Sequence, residues 1–350
     1  MSYFEKIKNT VIKEDAVILG IETSCDETAV AIVKGGREIL ADEIISSATE
    51  HSRFGGVVPE IASRAHTEAI YTATKNALKN ANLTFNDIDA IAVTEGAGLL
   101  GALLVGVSFA KTLAYSLNKP LVPVSHIRGH IAAGYLTDKT LEPPFICILA
   151  SGGHTAIACV NDYYNISILG STIDDAVGEA FDKVARVLGL NYPGGPKIEL
   201  LAKEGKNVIK LPPMLKNYTG GEYDFSYSGL KTAVINYVHT EEQKGNIINK
   251  NDVAKSFQCS AIDVLIDKAI KAIEKSNYKT VTVSGGVGAN AYLRESLTAR
   301  LKEKGIKLVL PEKRYCTDNG AMIAAEGYLQ YKKRNFAKLD LNASAVIPLK

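Results

Sequence analysis

No apolar run in this 350-residue chain approaches the roughly 18 to 20 residues that a bilayer-spanning helix needs. Met1–Asp15 lacks the apolar stretch and small-residue cleavage site of a secretory leader, because Lys and Glu interrupt it, and it is poor in the Arg and Ser of an organelle transit peptide. These absences point to a cytoplasmic protein without a membrane partner, whose first residues form a mobile or helical extension. Pro- and Ser-rich tracts are missing too, and an apolar share of 46% against 22% charged residues supports a chain that folds throughout. Cysteines are few: Cys25, Cys147, Cys159, Cys259 and Cys316 are odd in number, scattered and without a C-x-x-C pair, which excludes a disulfide framework and a structural zinc site. The formal net charge of +2 is too small to announce a nucleic-acid partner, so any RNA binding must be local or shared with other proteins.

What is present is a repeated order of elements. Val17–Thr23, Thr28–Lys34 and Arg37–Ile45 read as three β-rich runs separated by turn-prone residues, an antiparallel meander. The amphipathic stretch Pro59–Ala81, the apolar run Ala90–Thr94, the helix Leu99–Leu117, the strand Leu121–Val124 and a helix over Ser125–Leu136 follow. The second half repeats this order: strands Phe145–Ala150, Thr155–Val160 and Asn165–Leu169, a helix over Asp174–Leu188, then strand, helix, strand and helix at Lys279–Val283, Ala289–Glu303, Lys307–Leu310 and Thr317–Tyr331. Glu95-Gly96-Ala97-Gly98 and Gly285-Gly286-Val287-Gly288 end equivalent strands. Halves of this kind mark the α/β, duplicated actin-like ATPase fold of sugar kinases, heat-shock chaperones and actin, two lobes with a central cleft. The expected division is an extension at 1–16, a first lobe at 17–140, a second lobe at 141–335 with an insertion at about 189–251, and a tail at 336–350.

His126-Ile127-Arg128-Gly129-His130 sets two imidazoles four residues apart on one helix face. In the repeat, the matching helix begins at Thr317-Asp318-Asn319-Gly320, so a pseudo-twofold axis would bring Asp318 from the other lobe to the same ion. Two His and one carboxylate with open positions suit iron(II), by the facial-triad pattern, or zinc, by its frequency. The spacing alone equally describes two helix-surface histidines and an N-cap aspartate. A metalloprotease would need Glu where Ile127 stands, which takes most of the support from proteolysis.

Ser151-Gly152-Gly153-His154-Thr155 and Ser284-Gly285-Gly286-Val287-Gly288-Ala289-Asn290 are Gly-rich turns whose amides can face an anion, the second also opening a helix. Each is also compatible with a plain tight turn. Asp175, Glu179 and Asp182 are spaced to line one helix face, either to grip a ribose or as a solvated acidic face. Tyr192-Pro193-Gly194-Gly195-Pro196 is either a rigid turn that a nucleotide can approach or a plain loop before a helix. In Ser24-Cys25-Asp26-Glu27-Thr28 either carboxylate can serve as base or substrate anchor, a polar hairpin turn being the alternative, and Cys25 has no cationic neighbour to make it a reactive thiolate.

From Ile18 to Gly327 the chain closely resembles the threonylcarbamoyl transferases that modify the adenosine beside the tRNA anticodon, a family long described as a glycoprotein endopeptidase. The resemblance rests on Gly20 to Thr28, Phe54-Gly55-Gly56-Val57-Val58-Pro59-Glu60, His126 to His130, Ser151 to Thr155, Gly178 to Lys183, Tyr192 to Pro196, Phe225 to Thr232 and Cys316 to Ala321. It implies His126, His130 and Asp318 as ligands of one divalent metal, iron(II) before zinc(II). It implies Leu149, Ala150, Ser151, Gly152, Gly153, Asp182, Gly195 and Asn290 as the site of threonylcarbamoyl-adenylate, and Asp26 and Glu27 as neighbours of the reacting centre. Glu199 stands where the family usually has Asp, a longer arm toward the same substrate, and Gly96-Ala97-Gly98 replaces a frequent Gly-Pro-Gly. The Phe54–Glu60 motif is similar to that of the bacterial branch, which implies an inactive paralogue of the same fold and a small P-loop ATPase as helpers. The implied reaction moves threonylcarbamoyl onto the exocyclic amine of adenosine in tRNAs reading ANN codons and releases AMP. A small-molecule kinase of the same superfamily, or a non-catalytic scaffold, are the alternatives.

Overall fold

In the computed structural model, residues 2–215 and 218–347 are described. Residue 1 of the expected extension, 216 and 217 of the expected insertion and 348–350 of the expected tail lie outside the described residues. The chain divides into two compact units, Met1–Glu142 with Thr317–Lys350, and Pro143–Cys316.

The first unit opens with a short helix α1 (Tyr3–Ile7) capped by Ser2, so the extension is helical, with Tyr3 and Ile7 buried in the unit's core. Strands β1 (Val17–Glu22), β2 (Glu27–Lys34) and β3 (Glu38–Ser46) form the antiparallel meander. β1 and β2 are buried almost end to end, as central strands covered on both faces must be, while the outer strand β3 carries charged residues that blunt a sheet edge. Helices α2 (Ala48–Ser52) and α3 (Pro59–Asn80) lead into β4 (Ala90–Gly96), α4 (Leu100–Leu117), β5 (Leu121–Ser125) and α5 (His126–Thr137). β4 pairs parallel with β1 and β5 with β4, giving the order β3-β2-β1-β4-β5. Among the described residues α4 is the one helix long and apolar enough to cross a membrane, contrary to the expectation that no run qualifies. It also carries Lys111, and its Val107, Ala110 and Ala114 belong to the core of the first unit.

In the second unit β6 (Phe145–Ala150), β7 (Thr155–Val160) and β8 (Ile166–Ser171) form the next meander. Four helices follow, α6 (Val177–Val187), α7 (Gly194–Glu204), α8 (Ser228–Gln243) and the long α9 (Lys250–Ser276), before β9 (Thr280–Ser284), α10 (Ala291–Lys302) and β10 (Lys307–Val309). The sheet order β10-β9-β6-β7-β8 repeats that of the first unit, with parallel pairs β6–β9 and β9–β10. The strand order of the duplicated fold is thus present in both units. α6 begins later than its acidic motif suggests: Asp174 and Asp175 precede it.

The last helix, α11 (Gly320–Lys332), departs from the expected division at residue 335. It packs in the first unit, on β1, β2, β4 and α5. The reason is the absence of side chains where the backbones meet. A Cβ on Gly20 would stand 2.4 Å from the Gly320 carbonyl oxygen and 2.5 Å from the Ala324 nitrogen, and one on Gly320 would stand 2.4 Å from the Ala31 nitrogen. Beyond α11 the chain stays with this unit, Ala337 N–H donating to the Leu121 carbonyl and Ser344 N–H to that of Glu95.

Because the atoms facing Gly20 are backbone and cannot swing away, Gly20→Ala is expected to destabilise the protein by about 1–3 kcal/mol, the usual range for overpacking. The shift of the urea-unfolding midpoint measures it, and an unchanged midpoint would contradict this packing.

Candidate functional site

In the first unit, α5 starts directly at the end of β5, so its first turn carries His126 and the next carries His130. Asp318 lies just ahead of α11, in a turn set by Asn319, whose Oδ1 accepts the Met322 N–H at 2.8 Å and whose Nδ2 donates to the Thr317 carbonyl at 2.7 Å. His126 Nε2 is 3.5 Å and His130 Nε2 3.1 Å from the same Asp318 Oδ1. One ligand atom from each of the three residues lies within 4.8 Å of the others. The expected triad therefore comes together, but Asp318 reaches it from within the unit that holds the histidines, not from the second lobe, because α11 packs there.

The residues fit a divalent ion on three observations. Donors about 2.0–2.2 Å from one ion stand roughly 3 to 3.5 Å apart, as the two Nε2 atoms stand from Asp318 Oδ1. Both nitrogens of His130 are buried without a hydrogen-bond partner among the described residues, so the 3.1 Å approach to Asp318 is proximity without hydrogen-bond geometry. Negative charge also collects here. Burial, followed by the charges of Asp318 and Asp26, pushes the Glu27 carboxyl up to about 9. Cys25 is raised by burial and then by Asp318 and Asp26, so it is a thiol and not a thiolate. A cation relieves this repulsion.

Behind His126 sits a residue that the motif reading left without a role. Glu22, wholly buried at the end of β1, places Oε2 3.1 Å from His126 Nδ1 and accepts the Thr94 hydroxyl at 2.6 Å. Its other oxygen accepts the Ser24 N–H, and Ser24 Oγ lies 3.1 Å from His126 Nδ1. This fixes the ring and leaves Nε2 facing Asp318. Burial would raise Glu22, but the charge and hydrogen bond of His126 hold it below its ordinary value. Burial likewise opposes an imidazolium at His126, and the charges of Asp318 and Glu22 overcome it, raising His126 to about 9. The signal was a carboxylate closing an otherwise apolar strand, Val17 to Ile21.

Asp26 and Glu27 form the β1–β2 hairpin, held from several sides. His66 on α3 pairs with Thr28 Oγ1 at 2.7 Å and with the Cys25 carbonyl at 3.0 Å, and Ser47 Oγ donates to the Asp26 carbonyl at 2.8 Å. Burial lowers His66, so it bonds as a neutral ring.

The second unit gathers its own expected residues. The turn after Leu149 and Ala150 is closed by Ser151 N–H to the His154 carbonyl at 2.8 Å, and a Cβ on Gly152 or Gly153 would meet nothing within 4 Å. Gly178 N–H at the start of α6 donates to the Ser151 carbonyl, and Gly285, with φ +89°, packs on the Ala150 carbonyl. Asp182 Oδ1 accepts the Gly194 N–H at 2.7 Å, bracing the start of α7, where Gly195 faces open space. Glu199 Oε1 accepts the Ala291 N–H at 3.3 Å, tying α7 to α10. Asn290 caps α10 through the Leu293 N–H and donates to Gln258 Oε1 at 2.9 Å. The starts of α6, α7 and α10 are thus linked to the open Gly152-Gly153 turn, and helix N-termini favour an anion. Asp175 lies ahead of α6 and pairs with Lys183 and Lys231, each at 2.8 Å, and Glu179 pairs with Lys183 at 2.8 Å.

Two measurements follow from the metal cluster. With His126 and Glu27 both near 9 in the ion-free protein, each holds a proton at pH 7, so Zn2+ binding is expected to release about one to two protons and to tighten as pH rises toward 9. Calorimetry in buffers of different ionisation enthalpy reads the number, and none released would contradict the assignment. Glu22→Gln, which keeps the volume and loses the charge, is expected to weaken Zn2+ binding roughly 10- to 100-fold, read by competition with a chromophoric chelator.

Known proteins share this sequence along most of its length. The family model described as TsaD, tRNA N6-adenosine threonylcarbamoyltransferase, matches residues 38–325. The tRNA N6-adenosine threonylcarbamoyltransferase of Clostridium botulinum (strain Kyoto / Type A2) is 51% identical over 333 residues, 95% of this chain and 97% of that protein. That of Clostridium perfringens (strain SM101 / Type A) is 52% identical over 328 residues, 93% and 96% of the two chains. Among solved structures, full-length HypF in its phosphate- and nucleotide-bound form aligns with a TM-score of 0.60 at 16% identity, over 92% of this chain and 47% of that one. T. kodakarensis HypF aligns with a TM-score of 0.60 at 16% identity, over 94% and 49%. These two likenesses bear on the fold alone. Matched along nearly its whole length at half identity, the chain belongs to the tRNA N6-adenosine threonylcarbamoyltransferase family.

Proposed function

We propose that this protein is an acyltransferase that moves the threonylcarbamoyl group from threonylcarbamoyl-adenylate to the exocyclic amine of the adenosine beside the anticodon, in tRNAs reading ANN codons. The observation that carries the reading is the His126–His130–Asp318 cluster, its two histidines buried, in a chain of this family. The family implies a metal-binding enzyme, and these residues would hold one divalent ion, iron(II) or zinc(II). When bound, the ion supplies a Lewis acid for oxygens of the donor, an effect worth several kcal/mol.

The chemistry sets what the protein's own groups must do. The amine nitrogen forms a bond to the carbamoyl carbon, the bond from that carbon to the phosphate oxygen breaks, AMP leaves, and the amine loses a proton. An aromatic amine is a poor nucleophile, so catalysis rests largely on positioning. In the second unit the Leu149–Gly153 turn, Gly195 and Asn290 would bind the adenylate through backbone amides and helix N-termini, with Asp182 and Glu199 shaping the starts of α7 and α10. In the first unit Asp26 and Glu27 would anchor the substrate or take the amine proton, on a hairpin immobilised by His66 and Ser47. No covalent enzyme intermediate is required.

An inactive paralogue of the same fold and a small P-loop ATPase are the proposed protein partners, and the cytoplasm, where tRNA is modified, the proposed location. A kinase would have no use for a two-histidine, one-carboxylate site, and a scaffold would not need it.

His126→Ala and Asp318→Ala are expected to lose bound metal and to slow transfer by about 100-fold or more, the rate equivalent of several kcal/mol, while the fold persists. Elemental analysis, circular dichroism and chromatographic quantification of the modified nucleoside, using purified donor and tRNA, test this together. A metal-free variant of full activity would sink the reading.

A further inference from the structure

Arg128 occupies the middle of the His126–His130 motif, two residues from each imidazole and so about 200° around the helix from both. Its Nε donates to Glu326 Oε1 on α11 at 2.7 Å, the two side chains being 11% and 3% exposed. Gln330 Nε2, one turn further along α11, donates to the same oxygen at 2.6 Å. The neighbouring contact between α5 and α11 is small and apolar. Gly129 lies under Ile323 and Met322, where a Cβ would come within 2.7 Å of Ile323 Cδ1. Apolar contact of this sort resists separation of the helices more than a small slide or rotation of one over the other, whereas a charge-assisted hydrogen bond in a low-dielectric setting resists both.

The two helices it joins carry all three ligand atoms, His126 and His130 on α5 and Asp318 in the Asn319-capped turn that opens α11. A slide of α11 along α5 would move Asp318 Oδ1 relative to both Nε2 atoms, and a few tenths of an ångström separate good from poor coordination. Removing a charge pair from water costs free energy that a well-packed apolar pair of similar volume would not, so fold stability alone gives no reason for it. We infer that Arg128 and Glu326 are positioning residues, a buried pair that sets the register of α5 against α11 and thereby the spacing of the three metal ligands. The inference rests on the metal reading of the His126–His130–Asp318 cluster.

The test uses full-length protein and the metal alone. Co2+ and Zn2+ affinities, and the visible absorption of the Co2+-loaded protein, are measured for Glu326→Ala, Glu326→Gln and the double variant Arg128→Met/Glu326→Leu. Thermal melts are recorded beside them, and binding is compared at a temperature where each is folded. Glu326→Ala is expected to bind roughly 10- to 100-fold more weakly with an altered Co2+ spectrum. Glu326→Gln, which keeps an oxygen for Arg128 and Gln330, should recover most of that loss. The double variant should melt at least as high as the parent yet still bind more weakly, which a merely structural role would not produce; it decides the matter if Glu326→Ala does not fold. Parent-like affinity and spectrum in the folded double variant would overturn the inference and leave the metal reading intact. A parent protein that binds neither ion would overturn both.

Discussion

The backbone of α11 can rest on the first unit's sheet only because Gly20 and Gly320 leave no Cβ at the crossing. From that close approach follows the position of the turn before the helix, and from the turn the position of Asp318. The helix that closes the chain's repeat is thereby committed to the unit containing β1 and α5. Its packing is the condition for the His126–His130–Asp318 cluster, whose members are far apart in sequence.

Once assembled, the cluster is governed by charge. Asp318 stands against both imidazoles and Glu22 against His126, while burial and the charges of Asp318 and Asp26 act on Glu27, so His126 and the Glu27 carboxyl are both raised to about 9. A divalent cation held there would compete with the protons of these groups, and its binding would depend on pH. The hairpin bearing Asp26 and Glu27 is braced by His66 and Ser47, so the acids are held near Asp318 by hydrogen bonds that also satisfy the turn's own backbone. Rigidity here favours a reaction that depends on placing a weak nucleophile.

In the second unit the polar residues expected at a nucleotide hold the fold together. Asp182 braces a glycine amide, Glu199 ties two helices and Asn290 caps one of them. At the Gly152-Gly153 turn, by contrast, a Cβ on either glycine would meet nothing within 4 Å. A longer Glu is accommodated at position 199, where its carboxylate reaches the first amide of α10.

The strand runs, the Gly-rich turns, the four-residue spacing of His126 and His130 and the doubled order of elements were readable along the chain, because each follows from local periodicity and backbone preference. The assignment of α11 to the first unit, the burial of α1, the lysine partners of Asp175 and the place of Glu22 behind His126 were not. A buried carboxylate closing an apolar strand hints at a partner without naming it, and Arg128 in a helix says nothing of Glu326. Those pairings bring together residues distant in sequence, and they are decided by which backbones can approach closely and which buried charges must then find one another.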